Sequence, residues 1–155
     1  MEDQPLTDHF TLYQLTLTSH KQFQDENRDL TQEQLVKLQN VARLLEHVMF
    51  ILDAPLTVTS AYRCKPLNDF IGSTDRSQHL LCEAVDFIPK EIDLGKSFRL
   101  LWQDIKVNGA NTGQLIHEND DGKEWLHISL GEPYRPKEKC KQVLKYENKK
   151  YVRLA

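Results

Sequence analysis

Three short segments of this 155-residue chain carry residue types that suit a shared metal ion. His79 follows a turn-like segment, Asp86 lies inside an apolar run, and His127 ends the segment Trp125-Leu126-His127. Two imidazoles and one carboxylate suit zinc and leave a fourth coordination position open, which usually means chemistry. A fold that uses this set must bring one loop and two strands together at a single point.

The setting of Asp86 strengthens the metal interpretation. A buried, unpaired carboxylate costs several kcal/mol, so Asp86 within the run Ala84–Ile88 needs a nearby cation. A single histidine, in contrast, is more often a hydrogen-bonded surface or core group. Iron in oxygenases uses the same ligand types, but its first His and Asp are often two positions apart, whereas His79 and Asp86 are seven apart.

Length, charge and cysteine content narrow the classes of function. With 39% hydrophobic residues and no long polar tract, we expect a single domain over residues 1–155 and nothing that demands more than a monomer. The formal net charge of −3 favours neither nucleic acid nor an anionic membrane as a partner. No segment is apolar for long enough to span a bilayer. Three cysteines without paired spacing fit a reducing compartment better than a disulfide framework.

The start of the chain gives an expectation about localisation. The segment Met1-Glu2-Asp3-Gln4-Pro5 is acidic and lacks the basic segment and apolar run of a secretory signal. We therefore expect synthesis in the cytoplasm without a signal peptide, and export only with help from another protein.

The hydrophobic periodicity predicts an α+β fold. A long amphipathic helix begins at Thr31, which has capping-box spacing to Gln34, and ends at Asp53-Ala54-Pro55. An Asp-Gly pair between two apolar runs predicts a hairpin. We expect a small antiparallel sheet that carries the zinc site on its open face, with the helices packed on the other face. The further predicted elements are helices over 62–68 and 94–105, strands over 56–60, 84–88, 114–118 and 125–130, and a weaker hairpin over 143–154.

Longer motifs surround the three ligand candidates. They are Ser60-Ala61-Tyr62-Arg63 through Asn68, the segment Ser77–Asp86, and Trp125-Leu126-His127-Ile128-Ser129. In this order they resemble the zinc D-Ala-D-Ala carboxypeptidase family, which includes the L-alanyl-D-glutamate endopeptidases of phage endolysins and whose fold the Hedgehog signalling domain shares. The resemblance spans about residues 8–131, and its opening segment, 8–12, is similar to the compact phage branch.

The resemblance implies roles for five residues. His79, Asp86 and His127 would bind Zn²⁺, and Arg63 would bind a carboxylate or carbonyl of the substrate. A planar guanidinium suits that role because it makes bidentate contacts and can stabilise a tetrahedral intermediate, although a surface ion pair would also explain an arginine here. Ser77 stands where the family often has a residue that supports the site by hydrogen bonding.

Two glutamates compete to be the general base. Several branches of the family have an acid three residues before the last ligand, where this chain has Glu124, and the compact branch tends to have one at Glu118. In a regular strand an odd offset places Glu124 and His127 on opposite faces, so Glu124 can act only if the hairpin end is bulged or turned. We prefer Glu124, with Glu118 second; either could instead be a solvated turn charge, Glu124 in particular because it follows Lys123.

Cys82 departs from the family, which usually has glycine three residues after the first ligand. Glycine allows a positive φ or a close approach of the backbone, and a side chain would strain either. A cysteine thiolate could also bind zinc as a fourth protein ligand, which would close the site and make it structural.

Two functions follow from the resemblance. The first is a zinc-dependent peptidase, of D-Ala-D-Ala carboxypeptidase or L-Ala-D-Glu endopeptidase type, that hydrolyses the stem peptides of bacterial peptidoglycan. Such a protein would degrade the cell wall as a phage or prophage endolysin after a holin opens the membrane. The second is a non-catalytic relative that binds a metal or a cell-wall fragment. Arg63, the open ligand set and a nearby glutamate favour the enzyme.

Overall fold

A computed structural model describes residues 3–155; Met1 and Glu2, which belong to the expected 1–155 domain and to the segment without a secretory signal, lie outside the described residues. The described part contains five α-helices, two short 3₁₀ helices and six strands. The α-helices are α1 (Leu12–Thr16), α2 (Gln24–Arg28), α3 (Gln32–Leu52), α4 (Lys65–Phe70) and α5 (Leu94–Val107), and the 3₁₀ helices are Lys21–Phe23 and Lys137–Lys139. The strands are β1 (Leu56–Ser60), β2 (Ala84–Pro89), β3 (Thr112–Asp120), β4 (Lys123–Leu130), β5 (Gln142–Glu147) and β6 (Lys150–Arg153).

The six strands form one sheet in the order β1-β2-β4-β3-β5-β6. The α+β class is confirmed, and all neighbouring strands are antiparallel except β3 and β5, which are parallel, so the expected antiparallel sheet is in fact a mixed one. The reason lies in the connection after β4. The end of β4 lies beside the start of β3. The chain after β4 passes the start of β3, where Lys141 N donates to Thr112 O at 2.9 Å, and it therefore enters β5 running in the same direction as β3.

The long helix α3 confirms the predicted capping box. The Thr31 side chain accepts from Gln34 N, and the Gln34 side chain accepts from Thr31 N. Asp53, in the left-handed region with φ 48°, ends the helix before Pro55. The other predicted helices form with shifted bounds, and α4 starts only at Lys65 because Pro66 is favoured in a first helical turn. The buried side chains of α3 are Leu38, Val41, Ala42, Leu45, Val48 and Leu52.

The sheet has two different faces. On β4, Leu126 and Ile128 are buried in the same apolar core as α3 and as Phe98 and Leu101 of α5. Because side chains alternate along a strand, His127 lies on the opposite face. Helices α3 and α5 thus cover one face, and the candidate ligands lie on the other. Among the described residues, none of the helices is long and apolar enough to cross a membrane.

Both predicted hairpins form, and their turns fix the registers. Asp121 and Gly122 have φ values of 51° and 87°, as two-residue type I′ turns require. Asn148 and Lys149, with φ values of 54° and 63°, do the same between β5 and β6. A regular two-residue turn leaves no bulge at the start of β4, which decides the direction of every side chain along that strand.

Candidate metal centre

The structure brings His79, Asp86 and His127 together, with one ligand atom of each lying within 4.8 Å of the others. Asp86 Oδ1 lies 3.3 Å from His79 Nε2 and 2.9 Å from His127 Nδ1. Asp86 on β2 and His127 on β4 are direct cross-strand partners, and His79 reaches them from the loop before β2. The ligand atoms of a tetrahedral zinc site are roughly 3.3 Å apart, so these separations suit the ion.

A hydrogen bond fixes the orientation of the His79 ring. His79 Nδ1 lies 2.7 Å from the carbonyl oxygen of Ala61. A carbonyl can only accept, so Nδ1 carries the proton and Nε2 presents its lone pair towards Asp86. Metal-binding histidines in proteins are held in this way, because the outer hydrogen bond sets the tautomer. The donor set therefore fits a zinc ion in type, number and orientation.

The electrostatics of Asp86 match this arrangement. Burial alone would raise the pKa of Asp86, but the neighbouring His79 and His127 outweigh that effect and hold the pKa well below its usual range. The carboxylate is therefore ionised, and it lies beside two imidazoles that could share a metal cation with it.

A groove of about 760 Å³ opens in front of the three ligand candidates. This volume is within the range of pockets that hold small-molecule or peptide ligands. The further residues in its wall that bear on function are Arg63, Ser77, Glu118, Trp125, Tyr146 and Tyr151.

Glu118 and Glu124 lie on opposite faces of the β3–β4 hairpin. Glu118 lines the groove and is 7% exposed. Burial raises its pKa to about 7, against the opposing effect of His127. Glu124 Oε1 lies 2.9 Å from Nε2 of His117 on the other face. This placement corrects our preference for Glu124, because the regular turn keeps the odd offset between Glu124 and His127 and points the two side chains apart.

Comparison with known proteins assigns the family. The sequence model of peptidase M15 matches residues 8–129, which is more than half of the chain. The chain belongs to the peptidase M15 family. A search of curated protein sequences finds no significant match. The resemblance inferred from the motifs is thereby confirmed, and the matched part of this M15 peptidase contains Arg63, both glutamates and all three ligand candidates, whereas β5 and β6 follow it.

In this M15 peptidase, Arg63 reaches the groove from the segment after β1. Burial lowers the pKa of Arg63, and the nearby Asp86 opposes that shift, so the guanidinium is a charged group in a partly dry position. Its Nε is buried and has no hydrogen-bond partner among residues 3–155. The residue lines the groove, and a guanidinium there suits the binding of a substrate oxygen.

A buried asparagine, which no sequence motif singles out, holds Arg63 in place. Asn27 Nδ2 donates to Thr16 O at 2.6 Å and to Tyr62 O at 3.0 Å, and Asn27 Oδ1 accepts from Cys64 N at 2.8 Å. These bonds clamp the backbone on both sides of Arg63. Helices α1 and α2, which carry Thr16 and Asn27, thus serve the site although neither touches the ligand candidates.

Ser77, His47 and His117 have plainer settings. Ser77 lines the groove, and its backbone N–H donates to Thr74 O at 3.1 Å, while its supporting role stays a prediction. His47 Nε2 lies 2.7 Å from Asp104 Oδ2 at the α3–α5 contact. His47 and His117 each pair with a carboxylate outside the groove.

Cys82 adopts a backbone conformation that glycine accepts most readily. Its φ is 60°, and its side chain is fully buried in the apolar core. Burial raises the pKa of the thiol to about 12, although Lys37 opposes the shift. The group of ligand candidates among the described residues contains His79, Asp86 and His127 and does not include Cys82. In this structure Cys82 is therefore not a fourth ligand candidate.

Proposed function

We propose that this M15 peptidase is a zinc-dependent hydrolase that cleaves peptide bonds in the stem peptides of bacterial peptidoglycan. The observation that carries the proposal is the convergence of His79 Nε2, Asp86 Oδ1 and His127 Nδ1 in the wall of a groove that also contains Glu118 and Arg63. Membership of the family supports peptide hydrolysis as the reaction.

The three ligand candidates would hold zinc, with the fourth position facing the groove. Zinc bound there would polarise a carbonyl and lower the pKa of a water molecule. The chain's own contribution is to orient the donors. The Ala61 carbonyl sets the His79 tautomer, and the β2–β4 pairing holds Asp86 beside His127.

Glu118 is the residue that we assign as general base. It lies on the ligand face of the sheet, and its pKa of about 7 is close to that of an efficient base at neutral pH. In the proposed reaction its carboxylate accepts a proton from the attacking water and later delivers it to the leaving amine.

Arg63 would bind and stabilise negative charge on the substrate. Its charged guanidinium, which lines the groove, can donate to a substrate carboxylate or to the oxygen on which charge develops during attack. Ser77, in the same wall, would support the substrate or the loop that carries His79.

For the biological setting, we propose degradation of the cell wall as a phage or prophage endolysin. Residues 1–155 would fold as one domain and act as a monomer, synthesised in the cytoplasm and released by a holin. Its partner would be the stem peptide, with no role for nucleic acid or for a membrane surface, as the net charge of −3 suggests.

The test is release of amino groups from isolated peptidoglycan by zinc-loaded protein. We expect activity that a chelator abolishes and zinc restores, and that His79→Ala removes while circular dichroism shows the fold intact. His47→Ala, at the α3–α5 contact, is the matched control and should stay active. Mass spectrometry of the fragments identifies the bond, D-Ala-D-Ala or L-Ala-D-Glu.

Two results would contradict the proposal. Full activity of His79→Ala would exclude the zinc mechanism. Wild-type protein that binds zinc and peptidoglycan but releases no amino groups would be the non-catalytic relative instead.

A further inference from the structure

The C-terminal hairpin β5–β6 forms part of the groove, although it lies outside the part of the chain that the M15 family model matches. Leu144, Tyr146 and Tyr151 line the groove together with the ligand candidates. The hairpin is therefore a feature of this chain that adds contact surface next to the residues of the matched region.

The pairing of the strands places a row of side chains across the sheet. Glu118 is the direct partner of Trp125 on β4 and of Tyr146 on β5, and Tyr146 is the partner of Tyr151 on β6. Residues directly opposite each other in a sheet share a face. Three aromatic side chains thus flank the assigned base on the groove side, and the rings of Tyr146 and Tyr151 pack with their centroids 4.7 Å apart.

Ion pairs tie this hairpin to the hairpin that carries Glu118. Lys149 Nζ, in the β5–β6 turn, lies 2.9 Å from Asp120 Oδ1 and 3.6 Å from Asp121 Oδ2 at the β3–β4 turn. Exposed ion pairs contribute little energy singly, but these join the two turns at the same end of the sheet. Together with the parallel β3–β5 pairing, these ion pairs hold Tyr146 and Tyr151 in register with Glu118.

The Tyr151 hydroxyl is available to a ligand. The side chain is 60% exposed and faces the groove, and no hydrogen bond of its hydroxyl occurs within residues 3–155. Partial burial and the charges of Glu118 and Asp86 raise its pKa to about 12, against the effect of Arg63, so it remains a donor at neutral pH. Tyr151 lines the same groove as Glu118, Asp86 and Arg63.

The spacing of the strands sets how far Tyr151 lies from the reacting bond. Neighbouring strands are roughly 4.8 Å apart, so Tyr151, two strands beyond Glu118, is on the order of 10 Å away along the sheet. An extended peptide rises roughly 3.4 Å per residue. Tyr151 is therefore reached by substrate residues two or three positions from the bond that is cleaved.

We propose that Tyr146 and Tyr151 form a subsite for peptide residues up to three positions from the cleaved bond, in which Tyr151 contacts those two or three positions away and its hydroxyl donates a hydrogen bond to the substrate. The subsite rests on the proposed peptidase function and sharpens it. It makes this chain an enzyme for extended stem peptides, which cross the groove, and a poor enzyme for dipeptides, which cannot reach the hairpin.

The experiment compares peptides of different length in wild-type and variant proteins. Zinc-loaded protein is given the dipeptide that contains the bond identified from peptidoglycan, and peptides extended by three stem residues on either side. We expect kcat/KM to be at least tenfold higher for one of the extended peptides. Tyr151→Ala should remove that increment, and Tyr151→Phe should lower it roughly three- to tenfold, as loss of one hydrogen bond would.

The matched control is Val152→Ala, because Val152 is 54% exposed and adjacent to Tyr151 but on the opposite face of β6. It should leave kcat/KM unchanged for all peptides. The subsite is overturned if Tyr151→Ala lowers kcat/KM equally for short and long peptides, or leaves both unchanged. Wild-type protein that cleaves none of the peptides, nor peptidoglycan, would instead overturn the proposed function, and the subsite with it.

Discussion

The two faces of the β3–β4 hairpin each carry a histidine beside a carboxylate, at the same distance. On the groove face, His127 Nδ1 lies 2.9 Å from Asp86 Oδ1. On the helix face, His117 Nε2 lies 2.9 Å from Glu124 Oε1. Judged by distance alone, the two pairs are equivalent, and the difference between them comes from their surroundings.

The surroundings give only one pair the properties of a metal site. Asp86 has a second imidazole, His79, within 3.3 Å and a groove in front of it. His117 instead packs against the Phe98 ring of α5, with centroids 5.4 Å apart, and the Glu124 side chain is 48% exposed. A histidine–carboxylate pair therefore becomes a candidate site when burial, a third donor and open space coincide.

The largest expected effect separates the two histidines. His127→Ala should reduce zinc affinity by more than about 100-fold, since loss of a mere supporting partner already costs 10- to 100-fold. His117→Ala should leave zinc affinity within about twofold. Competition with a chromophoric chelator measures both. Equal losses of zinc affinity in the two variants would show that the two histidine–carboxylate pairs are equivalent, and that the two faces do not differ in zinc binding.

The second effect separates the two glutamates. Glu118→Gln should lower kcat on peptidoglycan by roughly 10²- to 10⁴-fold with zinc affinity nearly unchanged, because it removes a proton acceptor and no ligand. Glu124→Gln is nearly isosteric and should keep kcat within about twofold. The reverse pattern would return the role of base to Glu124 and would require the start of β4 to rearrange when substrate binds.

Most of the difference between the two faces could be predicted from the sequence, except for one step. Local patterns predicted the strands, the Asp-Gly turn and the helix that starts after Thr31, because turn residues and hydrophobic alternation act over a few positions. The odd offset between Glu124 and His127 also predicted opposite faces. That prediction holds only if the turn between the strands is regular, and the register of β3 with β4 was needed to show that it is.

Other parts of the site depend on contacts between distant segments. Asn27 bonds the backbone beside Arg63 from 35 and 37 residues away, and no local pattern marks a buried asparagine as a clamp. The parallel pairing of β5 with β3 likewise depends on where β4 ends, so no local pattern predicts that Tyr146 lies beside Glu118. Long-range geometry of this kind follows from packing of the whole sheet.

A third, smaller effect concerns pH and the stability of the zinc-free protein. Burial raises the pKa of Glu118 from its ordinary value of 4.5 to about 7, so between these pH values the unfolded chain releases the proton before the folded one does. The free energy of unfolding should therefore fall as pH rises through this window, by an amount on the order of 3 kcal/mol from this group.

Urea denaturation at several pH values from 4 to 8 checks this effect. Glu118→Gln cannot ionise, so its stability relative to wild-type should improve across the window, whereas that of Glu124→Gln should not. A difference between Glu118→Gln and wild-type that does not change with pH would show that Glu118 is solvated like Glu124, and the contrast between the faces would weaken.

The smallest expected effect on zinc concerns Cys82, which lies in the loop between His79 and Asp86 but buries its thiol in the core. Cys82→Ala should bind one zinc with affinity within about twofold of wild-type, while losing about 1 kcal/mol of stability through the small cavity. Cys64→Ala, at another buried cysteine, is the matched control for the stability loss. A tenfold or larger loss of zinc affinity in Cys82→Ala alone would mean that the loop turns over and the thiolate closes the site. The metal would then be structural. The groove face would still bind zinc, unlike the helix face, but it would not be catalytic.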